Sequence, residues 1–142
     1  MAAPGEVTSE AAIPDVALKT LLIVDDSPLI RKMVAGVLGK DFDSILQAQD
    51  GEDGVEMAIQ HRPHLVLLDL EMPRLNGLEA CARIRQIPEL ASVPVVMLIS
   101  RDSQADVEAA FAAGATDYLV KPFAPGQLRA RLRVWMLRGG VA

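Results

Sequence analysis

The chain has 142 residues, of which 51% are hydrophobic and 23% charged, with a net charge of −5. That length suits one domain with a single buried core, and the apolar content and modest charge exclude a wholly disordered chain. No apolar run approaches the roughly 18 residues of a membrane span, and an aromatic content of 4% argues against a protein that stacks on nucleic-acid bases.

Residues 1–19, with Pro4, Gly5, Pro14 and several small residues, are expected to be a flexible leader. They lack the early basic cluster and continuous apolar core of a secretory signal. A pattern then begins and repeats five times: a short run of branched apolar residues, then a longer run with helical periodicity. The short runs are Thr20–Val24, Ser44–Ala48, Leu65–Leu68, Val95–Ile99 and Tyr118–Val120. Four are apolar at almost every position, as expected of strands covered on both faces. The run Ser44–Ala48 is more polar and is expected at an edge.

The intervening segments carry apolar stripes of period 3.6. The first comprises Leu29, Ile30, Met33, Val34, Val37 and Leu38, and the second Val55, Ala58 and Ile59. The third comprises Leu78, Cys81 and Ile84, the fourth Val107, Ala110 and Phe111, and the last Leu128, Leu132, Trp135 and Met136. Ser27 before Pro28 suits an N-cap followed by proline at the first helical position. Pro63 and Pro94 stand just before strands, where a helix must already have ended. Alternating strands and helices imply a parallel sheet with right-handed crossovers. About 120 residues are too few for an eightfold barrel, so an open, doubly wound α/β sheet is expected. The first strand is not followed by G-x-G-x-x-G, which removes the main support for dinucleotide binding.

In such a sheet, ligands bind beyond the carboxyl ends of the strands. The residues there are Asp25 and Asp26 after the first strand, Asp69 after the third, Ser100 after the fourth and Lys121 after the fifth. Three carboxylates at one edge repel one another and call for a cation. Oxygen ligands without histidine or cysteine favour magnesium. Lys121 and the Ser100 hydroxyl are donors for a phosphoryl group, and a carboxylate can accept one. Asp69 is the best acceptor, because Asp25 and Asp26 are placed to hold the metal. Taken singly, an aspartate at a strand end is a cap or a turn former. Four strand ends with complementary phosphoryl chemistry are hard to explain that way.

From residue 20 to about 138 the chain resembles the response-regulator receiver domains of bacterial two-component signalling. The matching stretches are Val24–Ser27, Asp50–Gly51, Pro63–Pro73, Asn76–Gly77, Gly114–Ala115 and Asp117–Phe123. The resemblance implies a flavodoxin-like (βα)5 fold with strand order 2-1-3-4-5, with residues 139–142 left as a tail. It implies that Asp69 accepts a phosphoryl group from a histidine kinase or a histidine phosphotransfer protein. It implies Mg2+ held by Asp26, Asp69 and the Glu71 backbone carbonyl, with Asp25 acting partly through water. Ser100 and Lys121 would bind the phosphoryl oxygens, and Ser100 and Tyr118 would form the switch. Kinase contacts are expected around Pro28–Leu38, and output at the fourth helix, fifth strand and fifth helix, with Phe111, Tyr118, Phe123, Arg129 and Arg133 on that face.

Nothing beyond the receiver fits in 142 residues, so no output domain is expected. The chain would be a cytoplasmic stand-alone receiver or relay intermediate, not an enzyme beyond its own phosphorylation and dephosphorylation. It would act on a downstream protein or form a phosphorylation-dependent homodimer, with no direct nucleic-acid contact and no membrane span. The alternatives are a small magnesium-dependent phosphatase or phosphotransferase, which lacks the two-residue Asp-x-Asp spacing here, and a phosphorylation-independent interaction module, against which the intact acidic set argues. His61 and His64 have no metal-ligand partners and are given structural loop roles; Cys81 is expected in the core. The acids all precede Arg129, and Arg129, Arg131, Arg133 and Arg138 follow them; these four are expected on a solvated helix face. Arg101, where the family has a small residue, is expected to alter phosphoryl lifetime. Equal decay rates in the parent and Arg101→Ala would overturn that expectation.

Overall fold

The computed structural model describes residues 19–100 and 103–141, with side chains as far as Leu137. Residues 1–18 of the expected leader, Arg101 with its neighbour Asp102, and the Arg138 side chain lie outside the described set. Five strands, β1 (Thr20–Val24), β2 (Ser44–Ala48), β3 (Leu65–Asp69), β4 (Val95–Ile99) and β5 (Asp117–Val120), alternate with five helices. The helices are α1 (Pro28–Leu38), α2 (Gly51–His61), α3 (Gly77–Arg85), α4 (Gln104–Ala112) and α5 (Pro125–Val141). A 3-10 turn, Pro88–Leu90, follows α3. The sheet is wholly parallel, in the order β2-β1-β3-β4-β5. Among the described residues no helix is long and apolar enough to cross a membrane.

Helices cover both faces of the sheet. On one face Leu21, Ile23, Leu65, Leu67, Val96 and Leu98 pack with Val34 and Leu38 of α1 and Leu128 and Leu132 of α5. On the other, Leu22, Val24, Val66, Leu68, Val95 and Met97 pack with α2, α3 and α4 through Val55, Ala58, Ala80, Cys81, Ile84 and Ala110. Burial of every residue of β3 and β4 accounts for their unbroken apolar runs. The expected stripes differ in detail. Leu29 is 75% exposed at the start of α1, and Ile59 and Phe111 are exposed as well.

The two outer strands are β2 and β5. The run Tyr118–Val120 was expected to be covered on both faces, but only Leu119 of it is buried, because β5 has a hydrogen-bonded neighbour on one side only. Helix α5 runs through residues 139–141, which were expected as a tail.

Local sequence signals set the helix starts. Ser27 accepts the Ile30 amide at 3.2 Å and Pro28 opens α1. Asn76 caps α3 in a capping box: its side chain accepts the Glu79 amide at 2.9 Å, and Glu79 accepts the Asn76 amide at 3.2 Å. The guanidinium of Arg85 donates to the carbonyls of Gly114 and Leu90 and to the Thr116 hydroxyl, tying α3 to the loop before β5. His64 Nδ1 accepts the Thr20 amide at 3.0 Å, a structural role at the start of β3. Cys81 is fully buried, and burial pushes its thiol pKa up.

Gly77 is required by close approach. A Cβ there would lie 2.7 Å from Leu70 Cα and closer still to the Asp69 carbonyl, directly beneath the strand end that presents Asp69. Nothing lies within 4 Å of a Cβ at Gly36, on the exposed side of α1. Gly77→Ala is therefore expected to cost about 2 kcal/mol or more, whereas Gly36→Ala is expected to add roughly 0.5–1 kcal/mol. Urea unfolding of the two variants beside the parent checks both signs.

Candidate functional site

The carboxyl ends of β1, β3, β4 and β5 meet at one edge of the sheet. Asp69 is the last residue of β3, and Asp25 follows β1 directly. Their burial is nearly complete, at 3% and 0% exposure, whereas Asp26 is exposed. A ligand oxygen from each of the three lies within 4.8 Å of the others. The backbone holds this arrangement: the Asp25 amide donates to the Ala48 carbonyl, the Leu70 amide to Leu98, and the Lys121 amide to Ile99.

Lys121 supplies the compensating charge. Its Nζ lies 3.0 Å from Asp25 Oδ2 and 3.2 Å from Asp69 Oδ1. Burial works against the ammonium, but its hydrogen bonds and ion pairs with Asp25 and Asp69 hold its pKa above the ordinary lysine value. Asp25 Oδ1 accepts the Ser27 amide at 2.9 Å. Asp25 Oδ2 is buried and, beyond the ion pair, accepts no aligned hydrogen bond. Burial, and then the charge of Asp25, push the Asp69 carboxyl up to about 6.

Three carboxylates whose oxygens lie within 4.8 Å of one another, with a single ammonium against two of them, form a hard oxygen donor set that fits a divalent cation. Asp26, exposed at the mouth, and Asp69, at the end of β3, offer ligand oxygens. Asp25 is already engaged through both oxygens, consistent with a role at one remove.

Ser100, just beyond β4, is exposed, and its hydroxyl donates to Glu71 Oε1 at 3.2 Å. Thus Asp25, Asp26, Asp69, Glu71, Ser100 and Lys121 come together at one edge. Tyr118 stands apart on β5, half-buried, its ring edge-on to Phe111 with centroids 6.1 Å apart.

Several contacts were not legible from the sequence. Arg31 Nη1 donates to the Asp25 carbonyl at 2.6 Å and Nε to Gln47 at 3.3 Å, bracing the loop that carries both aspartates. Arg31 sits on α1 among residues assigned to a partner surface, and nothing local marked it. Gln47, on the edge strand β2, shares in this brace. Asp50 caps α2 by accepting the Asp53 amide, the main reason its pKa lies below the usual range, and pairs with Arg74 from the loop after β3.

The expected output face also needs correction. Phe123 is buried in the core between α1 and α5. Arg129 and Arg133 point to the opposite side, toward Asp41 in the loop after α1, and Arg129 also donates to the Val37 carbonyl. The helical phase decides this: Leu128 and Leu132 bury against the sheet, leaving 129 and 133 on one flank and 131 and 135 on the other. Arg131 and Trp135 face β5 instead. Arg131 donates to Asp117 Oδ1 and to the Tyr118 carbonyl, each at 2.9 Å, and Trp135 Nε1 donates to Asp117 Oδ2 at 2.8 Å. These arginines therefore engage acids rather than forming a purely solvated face.

A carboxyl raised from 3.8 to about 6 by folding favours its protonated form. Its stabilising contribution is complete below about pH 4 and is lost as pH rises through 6. Without a divalent cation, Asp69→Asn is expected to be more stable than the parent at pH 7.5, by roughly 1–3 kcal/mol, and nearly equal to it near pH 4. Thermal melts in chelator at both pH values check this; a gain independent of pH would contradict it.

Residues 21–133 match the family described as the response regulator receiver domain. Among curated proteins, a response regulator MprA from Mycobacterium sp. (strain KMS) is 39% identical over 118 residues, covering 83% of this chain and 50% of that protein. The alkaline phosphatase synthesis transcriptional regulatory protein PhoP of Bacillus subtilis (strain 168) is 32% identical over 124 residues, covering 87% of this chain and 51% of that protein. The chain thus spans about half the length of these relatives. Among solved structures, the chemotaxis protein CheY4 of Vibrio cholerae superposes with a TM-score of 0.79 at 32% identity, covering 82% of this chain and 98% of that one. With the parallel sheet in the order 2-1-3-4-5 and the acidic cluster at its carboxyl edge, these matches establish that the chain belongs to the receiver-domain family of two-component response regulators.

Proposed function

We propose that Asp69 accepts a phosphoryl group from the phosphohistidine of a histidine kinase or histidine phosphotransfer protein, with magnesium at the acidic cluster. The observation that carries this is the Lys121 ammonium, seated between Asp25 and Asp69 at an edge where Asp26 and Ser100 remain exposed. With a pKa of about 6, Asp69 is largely ionised at neutral pH, as a nucleophile must be. One of its oxygens attacks phosphorus, the P–N bond of the donor breaks, and the electron pair stays on the imidazole nitrogen, which then takes up a proton. Lys121 transfers a hydrogen bond from Asp69 to a phosphoryl oxygen, and the Ser100 hydroxyl donates to another. Asp26, Asp69 and the Glu71 carbonyl would hold magnesium, with Asp25 at one remove, and the ion would supply charge neutralisation there.

In this proposal the chain is a cytoplasmic phosphoacceptor and not a multiple-turnover enzyme. Movement of Ser100 toward the phosphoryl group is coupled to Tyr118, which turns inward. This changes the α4–β5–α5 surface, as a population shift, for a downstream protein or a second copy of the chain. The exposed Phe111 ring against Tyr118 supports that surface as the responsive one. The histidine donor is expected at α1 and the loops of the site, where Leu29 is exposed.

The test is the intact mass after incubation with acetyl phosphate and magnesium. The parent is expected to carry one phosphoryl adduct that is absent from Asp69→Asn and from a chelated sample. Absence of the adduct under every condition would overturn the proposal, and turnover of a small phosphate ester through many cycles per chain would make the protein a phosphatase.

A further inference from the structure

Glu71 and Ser100 leave adjacent strands side by side. Asp69 on β3 stands opposite Leu98 on β4, and each residue lies two positions beyond that pair. Their side chains meet: Ser100 Oγ donates to Glu71 Oε1 at 3.2 Å. Both residues are exposed.

A hydroxyl has one proton to donate. While Ser100 gives it to Glu71, it cannot give it to an oxygen on Asp69. Once the bond is broken, the Glu71 carboxylate is left beside an incoming phosphoryl anion, a like-charge contact that opposes the same step. Both effects favour the unmodified arrangement.

We propose that the Glu71 carboxylate is a latch, holding the Ser100 hydroxyl away from Asp69 until phosphorylation competes for it. This rests on the receiver function proposed above and adds a restraint to it. Glu71 then has two roles in separate atoms. Its backbone carbonyl is available to the cation, and its side chain sets the resting position of the switch. A ligand shifts a two-state element only by its differential affinity for the two states, so the strength of the latch subtracts from the response to the phosphoryl group. Glu71 is here a positioning residue that acts through Ser100.

The first arm of the test uses the cation-free protein. Side-chain scalar couplings of Ser100, measured by NMR, are expected to report one dominant rotamer in the parent and averaging in Glu71→Ala. Averaging already in the parent would overturn the latch.

The second arm measures affinity for beryllofluoride, a phosphoryl mimic, in the presence of magnesium. Glu71→Ala is expected to bind it on the order of three- to tenfold more tightly than the parent. Glu71→Gln, which keeps an acceptor oxygen without the charge, is expected to fall between. In a Ser100→Ala background the gain from Glu71→Ala is expected to shrink to under about twofold. An equal gain in both backgrounds would mean that Glu71 acts by charge repulsion alone and would overturn the latch, as would no gain in either. If the parent binds no beryllofluoride while the Ser100 rotamer still depends on Glu71, the receiver function fails with the hydrogen bond intact, and the latch fails as a regulator with it.

Discussion

Two nearly buried carboxylates, Asp25 and Asp69, stand beside an exposed third, Asp26, and one ammonium lies against the buried pair. Like charges at up to 4.8 Å repel by about 3 kcal/mol per pair at an effective dielectric near 20. Lys121 offsets part of that, while burial first, and the charge of Asp25 second, raise the pKa of Asp69. The acidic edge is thus held in a state that a divalent cation or the loss of a negative charge would relieve. The same unfavourable charge density is what the proposed cation-assisted phosphoryl chemistry would draw on.

Rigid backbone makes this arrangement tolerable. Every residue of β3 and β4, and four of the five in β1, are buried, so their ends cannot drift apart to ease repulsion without exposing apolar surface, at about 25 cal/mol per Å². Around the rigid floor the loops are tied by polar contacts: Arg31 to the Asp25 carbonyl, Arg74 to Asp50, Lys121 to the two aspartates. Among the described residues, the exposed side chains of Ser100 and Glu71 are joined to each other by one hydrogen bond. The rim is therefore the part of the site that can change at low cost.

The far edge of the sheet is organised differently. Strand β5 has one strand neighbour, and Asp117 links it to α5 through Arg131 and Trp135. Arg131 also holds the Tyr118 carbonyl. The main chain of Tyr118 is thereby anchored, while its ring lies against the exposed Phe111. A fixed backbone with a half-exposed ring suits a residue that changes rotamer rather than one that moves with its strand.

The sequence by itself determined the element order, the doubly wound sheet and the residues at the strand ends. Unbroken apolar runs, helical stripes and proline positions are local signals, and a parallel sheet places strand carboxyl ends at one edge whatever the side chains. Asp25, Asp26, Asp69, Ser100 and Lys121 were legible for that reason. Only the tertiary structure decided which partner each flexible polar side chain takes. The i, i+4 stripe that identified Leu128 and Leu132 as core could not say which flank Arg129 and Arg133 would follow, because that depends on how α5 is rotated against α1 and β5. Arg31, Asp50 and Arg74 were likewise invisible as supports, since their partners are contributed by distant segments. The Glu71 side chain was not separable from its backbone role. Long side chains choose among acceptors that only the assembled fold brings within reach, and period and spacing carry no record of that choice.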